Sequence, residues 1–334
     1  MVDETTGFSL WVDFIERDFI KTTLKELINN EIIDGATSNP SIFANAITTS
    51  GAYKEQLLTL KDKSPKEKYE ALAITDIKST AKELKTCYDR GFEGYVSIEV
   101  DPFLSNDATA TIKEGIRLFK EIDEPNVMIK VPATNAGYIA MEELLARGIS
   151  VNATLVFSPT QAIKAKEAMI KGINKFSSFS DDGRAEGVIS IFVSRFDRKL
   201  DSKLKELNIP TAKTGILNAA KIYNILMEKK EPAIKPLFAS TGVKKEQELP
   251  QDYYITNLVA KHSINTAPLD TIYAYENNPN KGKLALPITN DAIEAHFNAL
   301  KDNGIDINKI YDELMQEGLK AFEEAFSKLL KSLE

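Results

Sequence analysis

The chain has 334 residues, enough for one large domain or two modest ones, and its 43% hydrophobic and 27% charged residues fit a globular protein with a sizeable core. A net charge of −7 argues against a general binder of nucleic acid or anionic membrane. One cysteine, Cys87, rules out an internal disulfide, and together with only two histidines, His262 and His296, it speaks against a His/Cys zinc site.

The opening stretch, MVDETTGFSL, has no basic segment followed by an apolar run and does not read as a signal peptide, and no apolar run further on is long enough to span a membrane. With its single thiol the chain is expected in a reducing compartment, the cytoplasm. Runs rich in β-branched and aromatic residues, flanked by turn residues, predict eight strands. In chain order these are Ser9–Ile15, Asp34–Asn39, Gly94–Val100, Asn126–Val131, Ile149–Val156, Gly187–Val193, Lys235–Thr241 and His262–Ala267. Between them the apolar residues recur at helical spacing. The charged stretch Leu60–Glu70 reads as a surface connection, and the following helix ends on Gly91. Cys87 falls within that helix and reads as packing. Another helix ends on Gly148, and a third opens with Ser158 as N-cap and Pro159 at its first position. Helices are also predicted around 219–230 and 289–304, with His296 on a helix surface. The tail from 306 to 334 reads as one or two long amphipathic helices.

Strands alternating with helices imply a parallel sheet, and eight strands in this length predict a (β/α)8 TIM barrel, a single domain over 1–334 with 289–334 as additional C-terminal helices. A doubly wound open sheet is the alternative, but no G-x-G-x-x-G follows the first strand.

Side chains on a strand alternate between its faces. One parity is apolar: Leu10 and Val12; Val96, Ile98 and Val100; Val127, Ile129 and Val131; Val151, Ala153 and Leu155; Ile189, Ile191 and Val193; Leu237 and Ala239. It suits contact with the outer helices. The other parity holds Asp13, Glu99, Lys130, Asn152, Thr154, Ser190, Phe192 and Ser240. Most of these sit late in their strands, toward the end of a barrel where catalytic groups gather.

A buried ammonium is costly unless paired or deprotonated, so Lys130 in the strand NVMIKV needs a reason. It either snorkels to the barrel end and pairs with a carboxylate, or it serves as a nucleophile toward a ketone or aldehyde. The resulting Schiff base, once protonated, permits carbon–carbon cleavage. Glu99 and Asp13 are either an ion-pair network around the lysine or the two carboxylates that such chemistry needs for proton transfer. Asn152 and Thr154 either hydrogen-bond neighbouring strands or face substrate, with Thr154 fixing a water. Arg195 and Lys244, after the sixth and seventh strands, are either solvated charges or phosphate contacts. His262 is a weak candidate near the last strand.

At these residues the chain resembles the transaldolases. The likeness runs in order through LWVDFI, GATSNPSIF, VSIEVDPFLSND, VMIKVPAT, SVNATLVFSPTQA, ISIFVSRFDRKLD and PLFASTGVK, from about Trp11 to at least Pro268, and is greatest to the longer bacterial type. The resemblance implies a (β/α)8 barrel without cofactor or metal. It implies transfer of a dihydroxyacetone unit from sedoheptulose 7-phosphate to glyceraldehyde 3-phosphate, giving erythrose 4-phosphate and fructose 6-phosphate in the pentose phosphate pathway. It places the Schiff base on Lys130, acid/base work on Glu99, the water-holding threonine at Thr154 and the acceptor of the hydroxyl proton at Asp13. Asn39, Asn152 and Ser190 match residues that hold dihydroxyacetone, Phe192 an aromatic wall and Arg195 a phosphate contact. Where many members carry a second arginine, two residues after the serine matching Ser240, this chain has Gly242, and Lys244 is the substitute expected. An aldolase releasing dihydroxyacetone and a non-catalytic sugar-phosphate binder are the rival readings. The partners expected are sugar phosphates, with no nucleic acid or membrane, and the chain is expected as a monomer or homodimer.

Overall fold

The computed structural model describes residues 6–91, 93–178 and 184–334; the first five residues of the N-terminal stretch read above lie outside them. Eight parallel strands close into a barrel in chain order: β1 (Phe8–Val12), β2 (Gly35–Thr37), β3 (Val96–Glu99), β4 (Val127–Pro132), β5 (Ser150–Val156), β6 (Gly187–Phe192), β7 (Ile234–Ala239) and β8 (Ser263–Ala267). Each falls within, or within one or two residues of, a predicted run. Helices follow the strands and pack outside, so Val96, Ile98, Val127, Ile129, Val151 and Ile191 share a buried cluster with Leu84, Leu118 and Leu144 of those helices. Helices at Asn290–Asp302 and Ile307–Ser332 follow the barrel, and the latter, the terminal helix, is continuous.

Several local features depart from the sequence reading. The helix expected after the Leu60–Glu70 connection already begins at Pro65, because Ser64 and Glu67 form a capping box: Ser64 accepts from the Glu67 N–H while Glu67 accepts from the Ser64 N–H. Half of that stretch is therefore helix. Leu155 does not stay with Val151 and Ala153. The β5–β6 register slips between Ala153 and Val156, Leu155 takes φ +56°, and its side chain joins the barrel interior. In β7 the parity is reversed: Leu237 and Ala239 face the interior, while Phe238 packs outward near Tyr223. A strand buried on both faces carries hydrophobic residues on both, so hydrophobicity alone does not orient it. His296 is buried, with Nε2 2.9 Å from the Thr214 hydroxyl, rather than on the surface. Cys87 is half-buried and lines a polar cavity beside Asp34 and Arg90.

The interior is layered. At the N-terminal end Ser9 bonds Asp34 and Lys235 pairs with Glu93. Above lies an apolar plug of Trp11, Tyr95, Met128, Val188, Leu237 and Ile264. Gly35 makes room for Trp11, since a Cβ there would fall 2.4 Å from the indole ring. The polar side chains of the next layer stand on this apolar floor.

Candidate active site

Backbone pairing carries the polar layer. Glu99 on β3 lies opposite Lys130 on β4, and Lys130 opposite Asn152 on β5. The side chains thus reach one another through strand register, although the residues lie far apart in the chain. Just beyond β1, the Asp13 N–H donates to the Ala267 carbonyl at 2.8 Å and extends the ladder to β8. Asn39 caps the helix Pro40–Thr49: its side-chain oxygen accepts from the Ile42 N–H at 3.1 Å, which turns the Asn39 amide toward the mouth of the barrel.

Lys130 is buried, and its Nζ donates to the Ser38 carbonyl at 2.9 Å. Glu99 Oε2 lies 3.9 Å from the same nitrogen. Neither Glu99 oxygen has a hydrogen-bond partner among the described residues, and the same is true of the buried Thr154 hydroxyl. Asp13 is held differently: Thr37 donates to Oδ1 at 2.6 Å, and the Thr37 and Thr266 hydroxyls are 2.7 Å apart. Ser190 donates to Asn152 Oδ1 at 2.7 Å, and the Asn152 amide donates to Ser97 Oγ at 3.0 Å, which fixes the asparagine's orientation.

Burial governs the electrostatics. Loss of water raises the Glu99 carboxyl to about 7, against the opposing pull of the Lys130 ammonium, with a smaller push upward from Asp13. Burial also raises Asp13, countered by Lys130 and by the Thr37 hydrogen bond. The Arg195 guanidinium, 5.0 Å from the centre of the Phe192 ring, is lowered to about 10, chiefly by burial.

A cavity of about 110 Å³ at the C-terminal end of the strands brings together Asp13, Asn39, Lys130, Ser190, Phe192, Arg195 and Ser240. Ser240 reaches it although β7 has the parity opposite to that expected, because it takes φ +57° directly after the strand. Glu99, Asn152 and Thr154 stand behind this wall in the same polar layer. Lys244 does not join the group: it is exposed on the loop after β7, where its backbone N–H bonds the Gln247 side chain. His262 lies at the opposite, N-terminal end of β8. The sequence reading missed four contributors: the Ser38 carbonyl, Thr37, Thr266 and Phe322. Thr37 and Thr266 had a signal, since each takes the inward parity of its short strand. Phe322 had none, because a helix period says which face is buried and not what it is buried against. Among the described residues no three His, Cys, Asp or Glu side chains are placed to hold a metal ion.

One primary amine, buried with two carboxyl groups at the mouth of a closed barrel, is equipped for carbonyl chemistry, and a (β/α)8 barrel enzyme is the class that this fold and site define. Residues 10–333 match the model of the Transaldolase/Fructose-6-phosphate aldolase family. A protein named Transaldolase from Campylobacter jejuni is 44% identical over 335 residues, covering 98% of this chain and 99% of the relative. One of the same name from Helicobacter pylori is 44% identical over 326 residues, covering 97% and 99%. The chain belongs to the transaldolase/fructose-6-phosphate aldolase family.

Proposed function

We propose that this chain is a transaldolase, moving a dihydroxyacetone unit between ketose and aldose phosphates through an imine on Lys130. The observation that carries the reading is the Lys130 amine, buried at the barrel mouth 3.9 Å from a Glu99 carboxyl that has no hydrogen-bond partner among the described residues. Both relatives described above are named Transaldolase, which favours transfer over release within a family whose description includes both activities.

In this mechanism the amine attacks the ketose carbonyl and a C–N bond forms. Glu99, whose affinity for protons is matched to neutral pH, supplies the proton with which the carbinolamine hydroxyl leaves as water. A water held by Thr154 links the two. Asp13 then takes the proton of the hydroxyl beside the bond that breaks, the aldose departs, and the electron pair remains on the lysine as an enamine. Asn39 and Ser190 hold the hydroxyls of the three-carbon unit, Asn152 orients Ser190 from behind, Phe192 walls the pocket, and Arg195 and Ser240 meet the phosphate end. A second aldose phosphate enters and the steps reverse. With its single thiol the chain fits a reducing compartment, and we place it in the cytoplasm.

The test is borohydride trapping with fructose 6-phosphate, followed by peptide mass mapping. The expected result is a reduced three-carbon adduct on Lys130; an adduct on another lysine, or none, overturns the mechanism. Release of free dihydroxyacetone at full rate without an acceptor aldehyde would assign the chain to the aldolase branch instead.

A further inference from the structure

We propose that Phe322 on the terminal helix is the wall that keeps water from the three-carbon unit on Lys130 and thereby favours transfer over release; the proposal rests on the transaldolase reading above. Phe322 is 5% exposed, belongs to the interior cluster that contains Phe192, and lines the cavity that holds Lys130. Among the described residues it is the terminal helix's one contribution to that lining.

The helix is pressed onto the barrel at this point. One turn before Phe322, Gly318 sits so close that a Cβ would come 2.9 Å from Leu155 Cδ2 and 3.3 Å from Arg195 Nη1. One turn after it, Phe326 meets the Tyr69 ring edge to face at 5.2 Å. Lys199, on the helix that begins at Ser194 and carries Arg195, pairs with Glu313 at 2.9 Å and Glu317 at 2.7 Å. The terminal helix turns Met315 and Leu319 toward a separate open groove of about 1240 Å³ and Phe322 toward the cavity of the reacting amine, so it stands as a bar between the two.

Size and chemistry give the bar its use. Pockets that take up whole small-molecule ligands measure about 300–1,000 Å³, whereas this one, at about 110 Å³, suits the three-carbon unit. The enamine has two exits. In transfer, its carbon attacks an aldehyde and forms a carbon–carbon bond, the new alkoxide takes the proton held by Asp13, and water adds to the product imine so that the C–N bond breaks. In release, that carbon takes a proton, water adds to the resulting imine, and the C–N bond breaks to give dihydroxyacetone and the free Lys130 amine. Both exits end with one water adding to an imine, the part given to the Thr154-held water, but release alone first needs a proton brought to the enamine carbon, and an apolar ring over the cavity neither supplies that proton nor holds a water molecule to carry it from bulk solvent.

The experiment measures, for each protein, the rate of dihydroxyacetone release from fructose 6-phosphate alone against the rate of transfer to erythrose 4-phosphate. Phe322→Ala should raise the release-to-transfer ratio by roughly tenfold, the change that about 1.4 kcal/mol between two exits produces. Phe322→Leu should lie between, and carries the test if the alanine variant does not fold. Leu329→Ala, two turns further along the same buried face, should leave the ratio unchanged. An unchanged ratio in the Phe322 variants, or an equal rise in Leu329→Ala, overturns the proposal. Borohydride trapping on the unaltered protein separates the two readings: no adduct on Lys130 overturns the transaldolase reading and this proposal with it, whereas an adduct with an unmoved ratio overturns the proposal alone.

Discussion

Replacing Glu99 by glutamine should cost activity and yield stability, in a way that depends on pH. The carboxyl is buried, has no hydrogen-bond partner among the described residues, and is raised by desolvation from an ordinary 4.5 to about 7. The folded protein therefore keeps a proton that the unfolded chain has already lost. Between about pH 4.5 and 7 the native state binds more protons than the unfolded state, and stability falls as pH rises. Each tenfold in proton affinity is worth about 1.4 kcal/mol. The wild-type penalty, absent at pH 4, thus reaches about 3 kcal/mol by pH 8. Glutamine has nearly the same shape and no proton to lose. Urea unfolding of both proteins at a series of pH values reads the difference, and groups that titrate in this range away from Glu99, such as Asp197, cancel because both proteins carry them. The stability of Glu99→Gln relative to wild type should grow by about 3 kcal/mol from pH 4 to pH 8, while turnover falls by about 10²–10⁴. A difference that does not vary with pH would refute the claim that Glu99 is held near neutrality by burial.

Arg195→Ala should weaken binding of phosphorylated donors by about 10- to 100-fold, the usual loss for a charge-assisted hydrogen bond, with little effect on unphosphorylated analogues. Lys244→Ala, on the exposed loop, should change neither by more than about twofold; equal effects of the two substitutions on KM would show that Lys244 reaches the phosphate. Thr37→Val removes the hydroxyl that favours the charged form of Asp13, so Asp13 should hold its proton to higher pH and the acidic limb of the kcat profile should move upward. An unmoved limb would exclude Asp13 as the base that sets it. Gly318→Ala places a methyl against Leu155 and Arg195, and should cost about 1–3 kcal/mol in thermal or denaturant unfolding and raise KM for phosphorylated donors; full stability would mean that the terminal helix is free to shift.

The barrel was legible in the sequence because its strands are short, rich in β-branched residues and separated by helices with clear stops, such as the glycines at 91 and 148, both with positive φ. The inward parity of Lys130, Glu99 and Asn152 was legible because each sits among apolar neighbours of the opposite face. Parity failed where that contrast is missing. β7 is buried on both faces, and its one polar side chain, Lys235, has the parity of Leu237 but sits at the strand's start, where a lysine reads as a solvated end rather than as an inward group. At Leu155 one extra residue breaks the register, and nothing in the run SVNATLV marks it. Lys244 drew attention as a cation two residues after a glycine, but the loop carries it away from the cavity, and a loop's direction is not a pattern in composition. The terminal helix was visible as amphipathic, while its position across the mouth depends on long-range packing that no local period records.

One physical cause links the features of the site. The lysine, its two carboxyls and the aromatic wall gain their properties from exclusion of water, and that exclusion is assembled from distant parts of the chain. The apolar plug below comes from the strands, the Ser38 carbonyl from the loop after β2, and Phe322 from the terminal helix. The same desolvation that destabilises a charged Glu99 matches it to proton transfer near neutral pH, and the same closure that leaves about 110 Å³ around Lys130 would shelter an enamine from hydrolysis. Stability and chemistry are therefore opposed at this site and nowhere else in the polar layer to the same degree. Asn152 and Ser190 satisfy one another, and Asp13 leans on Thr37, but among the described residues Glu99 has no hydrogen-bond partner and the lysine is its nearest charge. A carboxyl left so exposed to its neighbour's charge responds to each change on that nitrogen, from ammonium to amine to imine, and this response is what a proton carrier in imine chemistry requires.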